Sequence, residues 1–212
     1  VDLFIKFSEY DSIWEQIDNL INSQTKEGKL EFLDRVISTG KNYAYIRIAE
    51  GCNNFCTFCA IPYIRGRFTS RKIEDIIEEA KNLAKEGYKG LIVIAHATTK
   101  YGVDIYGKPK LAELLHELSK IEGIKWIRFL YAYPETITDE LIEEVKNNNK
   151  ICKYFDIPMQ HISDNILKKM NRKSTGESIR KLIVKLRENI PGVVIRSTLM
   201  VGFPGETEED FN

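Results

Sequence analysis

The sequence predicts an α/β fold built on a parallel sheet. Two observations carry that expectation. Short apolar runs alternate with longer segments whose apolar residues recur at helical spacing, and strands alternating with helices of ten or more residues imply βαβ units. The apolar runs are nearly continuous, as strands are when both of their faces are covered. A third observation bounds the size: 212 residues with 43% hydrophobic content suffice for one substantial core, or for a domain plus an appendage.

The elements follow in order. Residues 1–34 read as a polar, partly helical lead-in, with helical spacing in "IWEQIDNLI" and a loop or linker in "NSQTKEGK". The repeating pattern starts near Tyr43. "YAYIRIA" is a strand, and "SRKIEDIIEEAKNLAKEGYKG" is a helix with Ser70 as candidate N-cap and Gly87 near its stop. "LIVIA" is a buried strand, "KLAELLHELSKIEG" a helix and "KWIRFLYAYP" a strand. "TDELIEEVKNN" is a helix capped by Thr138, and "KYFDIPM" is a strand. "SDNILKKMN" and "ESIRKLIVKLRENI" are helices, "VVIRSTLMV" is a strand, and "GETEEDFN" opens a further helix. That makes five strands and four crossovers. Periodicity alone fits a doubly wound sheet and part of a (β/α) barrel equally well.

Composition excludes several classes of function. Acidic and basic residues balance at 31 each, so no basic stripe or acidic tail points to a bulk electrostatic partner. No apolar run reaches the ~18 residues that span a membrane. The opening "VDLFIKFSEYDSIW" lacks the basic flank and small-residue cleavage site of a signal peptide, and it starts with Val, as a fragment would. There is no Ser–His–Asp arrangement and no P-loop. Asp156 and Glu50 flank the site region, with nothing else to support a paired-carboxylate hydrolase.

Three of the four cysteines fall in "EGCNNFCTFCAIP", as C-x-x-x-C-x-x-C at Cys52, Cys56 and Cys59. Three clustered thiols cannot pair among themselves without leaving one over, and a core of this size needs no staples, so a reducing cytoplasm and a metal site are expected. Cys152 stands alone and reads as a small core residue. The triad directly follows the first strand, and active sites of α/β folds gather at the C-terminal ends of strands. Structural zinc takes four protein ligands; a zinc knuckle here needs a distant fourth, such as His96 or Cys152. Thiolates also hold iron–sulfur clusters. If three irons of a cubane take these cysteines, the fourth is left without a protein ligand, and an open position marks a catalytic metal.

"GCNNFCTFCAIP", with the aromatic Phe58 before the last cysteine, resembles the signature of the radical S-adenosylmethionine (SAM) superfamily. The resemblance runs over residues 43–212 and implies a partial (β/α)6 barrel with five of six strands present. It implies a 4Fe-4S cluster whose open iron binds the amino and carboxylate groups of SAM. One electron then cleaves SAM to methionine and a 5′-deoxyadenosyl radical. "IPYIRGRFTSR" and "VGFPGETEEDF" are similar to the methylthiotransferase branch, which inserts sulfur into a C–H bond and methylates it. Its substrates are an adenosine of transfer RNA or the β-carbon of an aspartate in ribosomal protein S12. "TTKYGVDIYG", "LYAYP" and "DIPMQHISD" resemble the branch acting on S12, which makes that protein, or the small ribosomal subunit, the expected partner of a monomeric cytoplasmic enzyme. "AHATT" departs from the family's A-Q-D-T-T, so His96 and Ala97 replace an amide and a carboxylate; Arg67 and Thr69 stand where Pro and Arg are common.

The family carries an upstream domain with a second 4Fe-4S cluster and a downstream small β-domain, TRAM. The resemblance therefore makes residues 1–40 the tail of an N-terminal domain plus linker, and 41–212 the radical SAM core. Such a piece is expected to cleave SAM without completing methylthiolation. Expected cofactor contacts are Phe58, Thr98, Gln160, Arg196, Thr198 and Gly202. Arg196 and Thr198 alternate along one strand and point the same way, and a buried arginine there suits the SAM carboxylate. Arg65, Arg71 and His161 are expected substrate contacts, a guanidinium fork being suited to a carboxylate. Gly202 and Gly205 flank Pro204 in a tight turn. His116, between Leu115 and Leu118, reads as structural, and Tyr43 and Tyr45 read as strand formers.

Overall fold

The structure, a computed structural model, describes residues 40–212 together with 12, 13, 15–17 and 37. The chain divides into two compact units, Val1–Ser38 and Thr39–Asn212. Most of the expected lead-in, including most of "IWEQIDNLI", lies outside the described residues; residues 13 and 15–17 are helical.

The second unit runs β1 (Tyr43–Arg47), β2 (Ala49–Glu50), α1 (Ile61–Arg65), β3 (Thr69–Ser70), α2 (Ile73–Lys85), β4 (Gly90–Ile94), α3 (Val103–Tyr106), α4 (Leu111–Ser119) and β5 (Trp126–Phe129). It continues with α5 (Asp139–Asn147), β6 (Tyr154–Asp156), α6 (Asp164–Lys169), α7 (Gly176–Asn189), β7 (Val194–Arg196) and α8 (Glu208–Phe211). β4 lies between β1 and β5, and both pairings are parallel. β6 and β7 form a second parallel pair. The Ile127–Ile151 bridge and the 2.8 Å bond from Ala132 N to Asp156 O join β5 to β6. The long strands thus stand in chain order, β1-β4-β5-β6-β7. A doubly wound sheet reverses its strand order at a switch point. This order does not reverse, as in the wall of a partial barrel.

Consecutive helices line up in the same order, α2 against α4, α4 against α5, α5 against α7. Their apolar stripes explain why. Ile76, Ala80 and Leu83 of α2, and Leu111, Leu114, Leu115 and Leu118 of α4, recur at three- and four-residue spacing and are buried. Between sheet and helices Phe129 of β5 meets Phe155 of β6 edge to face, centroids 5.2 Å apart, both fully buried. Gly87 ends α2 as expected. At φ +96° it lets its own N–H reach Ala84 O and that of Tyr88 reach Leu83 O.

Several expectations need correction. Ser70 does not cap α2, whose N-cap is Lys72 without a side-chain bond. The backbone is still extended at Arg71, whose N–H donates to Ile48 O, and Ser70 belongs to β3. Ser70 Oγ instead donates to Asp104 Oδ1 at 2.6 Å. The last strand is shorter than "VVIRSTLMV". Cys152 is only half-buried. His116, read as structural, needs no correction: its Nδ1 lies 3.2 Å from Glu144 Oε1 of α5. The antiparallel β2–β3 pair and the short helices α1 and α3 have no periodic signature, being too short to show one.

Thr138 does cap α5, its Oγ1 accepting from Leu141 N at 3.3 Å. Thr138→Ala is expected to cost about 1 kcal/mol, lowering Tm by ~2–4 °C in a chain of this size. Thermal unfolding followed by circular dichroism measures it.

Candidate metal centre

The cysteine loop leaves β2 past the C-terminal end of β1. It is fixed on two sides. On one, Cys52 N donates to Gly66 O (3.2 Å) and Phe68 N to Asn53 Oδ1 (3.1 Å). Gly51 makes this approach possible: at φ +68°, a Cβ there would lie 2.2 Å from Arg67 O. On the other, Thr57 N donates to Met170 O (3.2 Å), Thr57 Oγ1 to Lys169 O (3.0 Å) and Asn171 Nδ2 to Phe55 O (2.9 Å), tying the loop to the end of α6. Positive φ at Phe55, Tyr131 and Gln160 places strained backbone in this loop and just beyond β5 and β6. Such strain persists where surrounding structure over-determines it, commonly at functional sites.

Cys52 and Cys56 are buried, Cys59 is half-buried, and all are free thiols. Burial pushes the Cys52 thiol up, and the neighbouring Cys56 and Cys59 push it further, partly offset by the Asn54 N–H and Lys100. Three more residues close on Cys56 and its neighbours. Tyr133 OH lies 3.0 Å from Cys56 Sγ. Arg172 stacks on the Tyr133 ring with its Cζ 4.0 Å from the centroid, and its Nη1 is 3.9 Å from the same sulfur. Lys100 Nζ donates to Asn54 Oδ1. Asn54 Nδ2 and Arg172 Nε are buried donors without a partner among the described residues.

Among the described residues, no three His, Cys, Asp or Glu side chains converge closely enough to hold a single metal ion. A zinc knuckle has no donor set here. Cys152 N bonds Ile127 O near the start of β5, whereas Tyr133 meets Cys56 past the end of that strand. Cys152 is therefore at the wrong end of the sheet. His96 is exposed among Glu50, Arg65 and Arg47; partial burial lowers its pKa, Glu50 opposes this, and the two arginines add to it. A cubane takes one thiolate per iron, so its thiols need not meet at one point. Three adjacent free thiols, unpartnered buried donors and nearby cations fit an anionic thiolate cluster.

The other expected residues divide into two groups. Phe58 stays near the triad and meets Phe203 edge to face at 6.4 Å. Gln160 lies beyond β6, with its N–H on Thr198 O (2.9 Å). Thr198 and Gly202 are exposed beyond β7, and Arg65 is exposed on α1. The second group has its polar atoms engaged within the protein. Thr98 is fully buried, its Oγ1 bonded to Ala95 N and O. Arg71 is held by Glu79 (2.6 Å) and Arg47 O (2.7 Å). His161 is buried; Nδ1 accepts from Ser163 N at 3.0 Å, which leaves the Nε2 proton facing Glu206 Oε1 at 3.4 Å. Arg196 is not buried: its side chain is 58% exposed and leans on Asp156 at 3.4 Å. Asn54, Lys100, Tyr133 and Arg172 were not expected. Asn54 lies inside the cysteine loop and Tyr133 inside "LYAYP", so proximity to those motifs was their only signal.

Residues 46–212 match the family model of the radical SAM superfamily. The chain belongs to that superfamily. Over its whole length it is 63% identical to the ribosomal protein uS12 methylthiotransferase RimO of Alkaliphilus oremlandii and 52% identical to that of Clostridium botulinum, covering 48% and 49% of those proteins. It thus spans about half the length of these relatives. In fold it is similar to the radical SAM methyltransferase TsrM of Kitasatospora setae (TM-score 0.63, 19% identity, 79% of this chain and 32% of that one). It is also similar to the cobalamin-dependent radical SAM enzyme OxsB (TM-score 0.60, 13% identity, 76% and 24%).

Proposed function

We propose that this chain is the catalytic core of a radical SAM methylthiotransferase that modifies an aspartate of ribosomal protein S12. The observation that carries the reading is the set of three free thiols at the strand ends, which no fourth His, Cys, Asp or Glu joins among the described residues. Identity of 63% to a RimO protein supports the choice of substrate. Cys52, Cys56 and Cys59 would hold a 4Fe-4S cluster, which when bound supplies the electron that cleaves SAM. The protein does the rest by placement. The Gly66–Phe68 segment and the end of α6 fix the loop that carries the thiols. Phe58, Gln160, Thr198 and Gly202 border the same end and are proposed to contact SAM, with Arg196 beside them. Arg65, exposed on α1, is the proposed contact for an acidic substrate. Thr98, Arg71 and His161 position backbone instead.

Residues 1–40 are proposed as the connection to an upstream domain and 41–212 as the core. A cytoplasmic monomer is the proposed state. No helix among the described residues is long and apolar enough to cross a membrane. The test is anaerobic reconstitution with iron and sulfide, reduction with SAM present, and assay for 5′-deoxyadenosine. The whole protein is then offered S12 or transfer RNA, followed by mass spectrometry. Methylthiolated aspartate in S12 is expected. Modified adenosine alone would replace the substrate, and tight zinc without iron would overturn the enzyme reading.

A further inference from the structure

We propose that Arg172 and Tyr133 clamp the Cys56 sulfur and set the reduction potential of the cluster that it would hold. The inference rests on the cluster reading above. Arg172 follows α6, and the bond from its N–H to Leu167 O (2.8 Å) turns the chain inward. Its guanidinium is then buried, the residue being 8% exposed. A buried cation needs an anionic or hydrogen-bonding partner. Among the described residues Arg172 meets no carboxylate: Nη2 donates to Pro158 O at 2.6 Å, Nε has no partner, and Nη1 points at Cys56 Sγ. Cys56 Sγ, which becomes an anion on ligating iron, is thus the group that Nη1 faces.

Tyr133 completes the arrangement. Its ring supports the guanidinium through a cation–π contact, and its hydroxyl reaches the same sulfur. A thiolate only accepts hydrogen bonds, so against a ligated Cys56 the phenol donates. Reduction adds negative charge to a cluster. A fixed cation and two donors at one ligand sulfur favour the reduced form and raise its potential.

The test is an EPR-monitored redox titration of the reconstituted protein without SAM, alongside iron and sulfide content. Arg172→Gln is expected to shift the reduction equilibrium about tenfold toward the oxidised cluster, 59 mV for one electron. Arg172→Lys, which keeps the charge and loses the fork, should shift it less. Tyr133→Phe, which keeps the ring and loses the donor, should shift it in the same direction. Full iron content with an unchanged potential in Arg172→Gln and Tyr133→Phe overturns the inference and leaves the cluster reading standing. Should Arg172→Gln fail to fold, Arg172→Lys and Tyr133→Phe decide by the same criterion. Wild-type protein that assembles no cluster overturns both.

Discussion

Cys56→Ala is expected to abolish cluster assembly and to bring 5′-deoxyadenosine formation down to background. The loop offers three thiols, and among the described residues no His, Asp or Glu groups with them as a metal site. Cys56 is also the sulfur that Tyr133 and Arg172 meet. Its loss removes an iron ligand and the anion that the buried guanidinium faces. The fold should survive, because Arg172 keeps the Pro158 carbonyl and the loop keeps its backbone bonds to Gly66 and Met170. Far-ultraviolet circular dichroism would establish that. Cys152→Ala is the control: half-buried and beside the start of β5, it should retain full iron and full product. Iron retained in Cys56→Ala, or lost in Cys152→Ala, would move the centre elsewhere.

Phe129→Ala should have the largest effect on stability. Its ring is fully buried and meets Phe155 edge to face where β5 joins β6. Truncating a buried phenylalanine costs ~3–5 kcal/mol, through lost transfer energy and the cavity left behind. Whole domains are stable by only about 5–15 kcal/mol, so much of the margin disappears. Urea unfolding should show a lower midpoint at unchanged slope. Phe155→Ala should do the same. The double variant should lose less than the sum, because each single change already breaks the aromatic pair. A loss below ~1 kcal/mol in Phe129→Ala would mean the site collapses around the gap, contrary to close packing on both sides of the sheet.

How much was legible depends on the distance over which each feature acts. The Thr138 cap acts over three residues and was read directly from the sequence. Gly87 acts over three to five, and the cysteine triad over eight. Ser70 has the same cap-like chemistry as Thr138, yet its partner is Asp104, thirty-four residues away, and no local rule exposes that bond. His161 looked available for substrate because it follows a strand. Glu206, whose carboxylate faces its Nε2–H, comes from the turn after β7. Arg196 looked buried because it alternates with apolar residues, but β7 leaves it exposed.

The sequence by itself determined the alternation of strands and helices, the helix stops, and the three thiols placed after the first strand. These follow from periodicity, backbone preference and spacing, which are properties of neighbouring residues. It took the folded chain to show that the strands stand in chain order, that no fourth His, Cys, Asp or Glu among the described residues joins the triad, and that Arg172 and Tyr133 meet Cys56. Those two partners lie 116 and 77 residues from the cysteine. What brings them together is the packing of the chain after β5 and after α6 against the cysteine loop, where a buried guanidinium faces a sulfur able to carry negative charge.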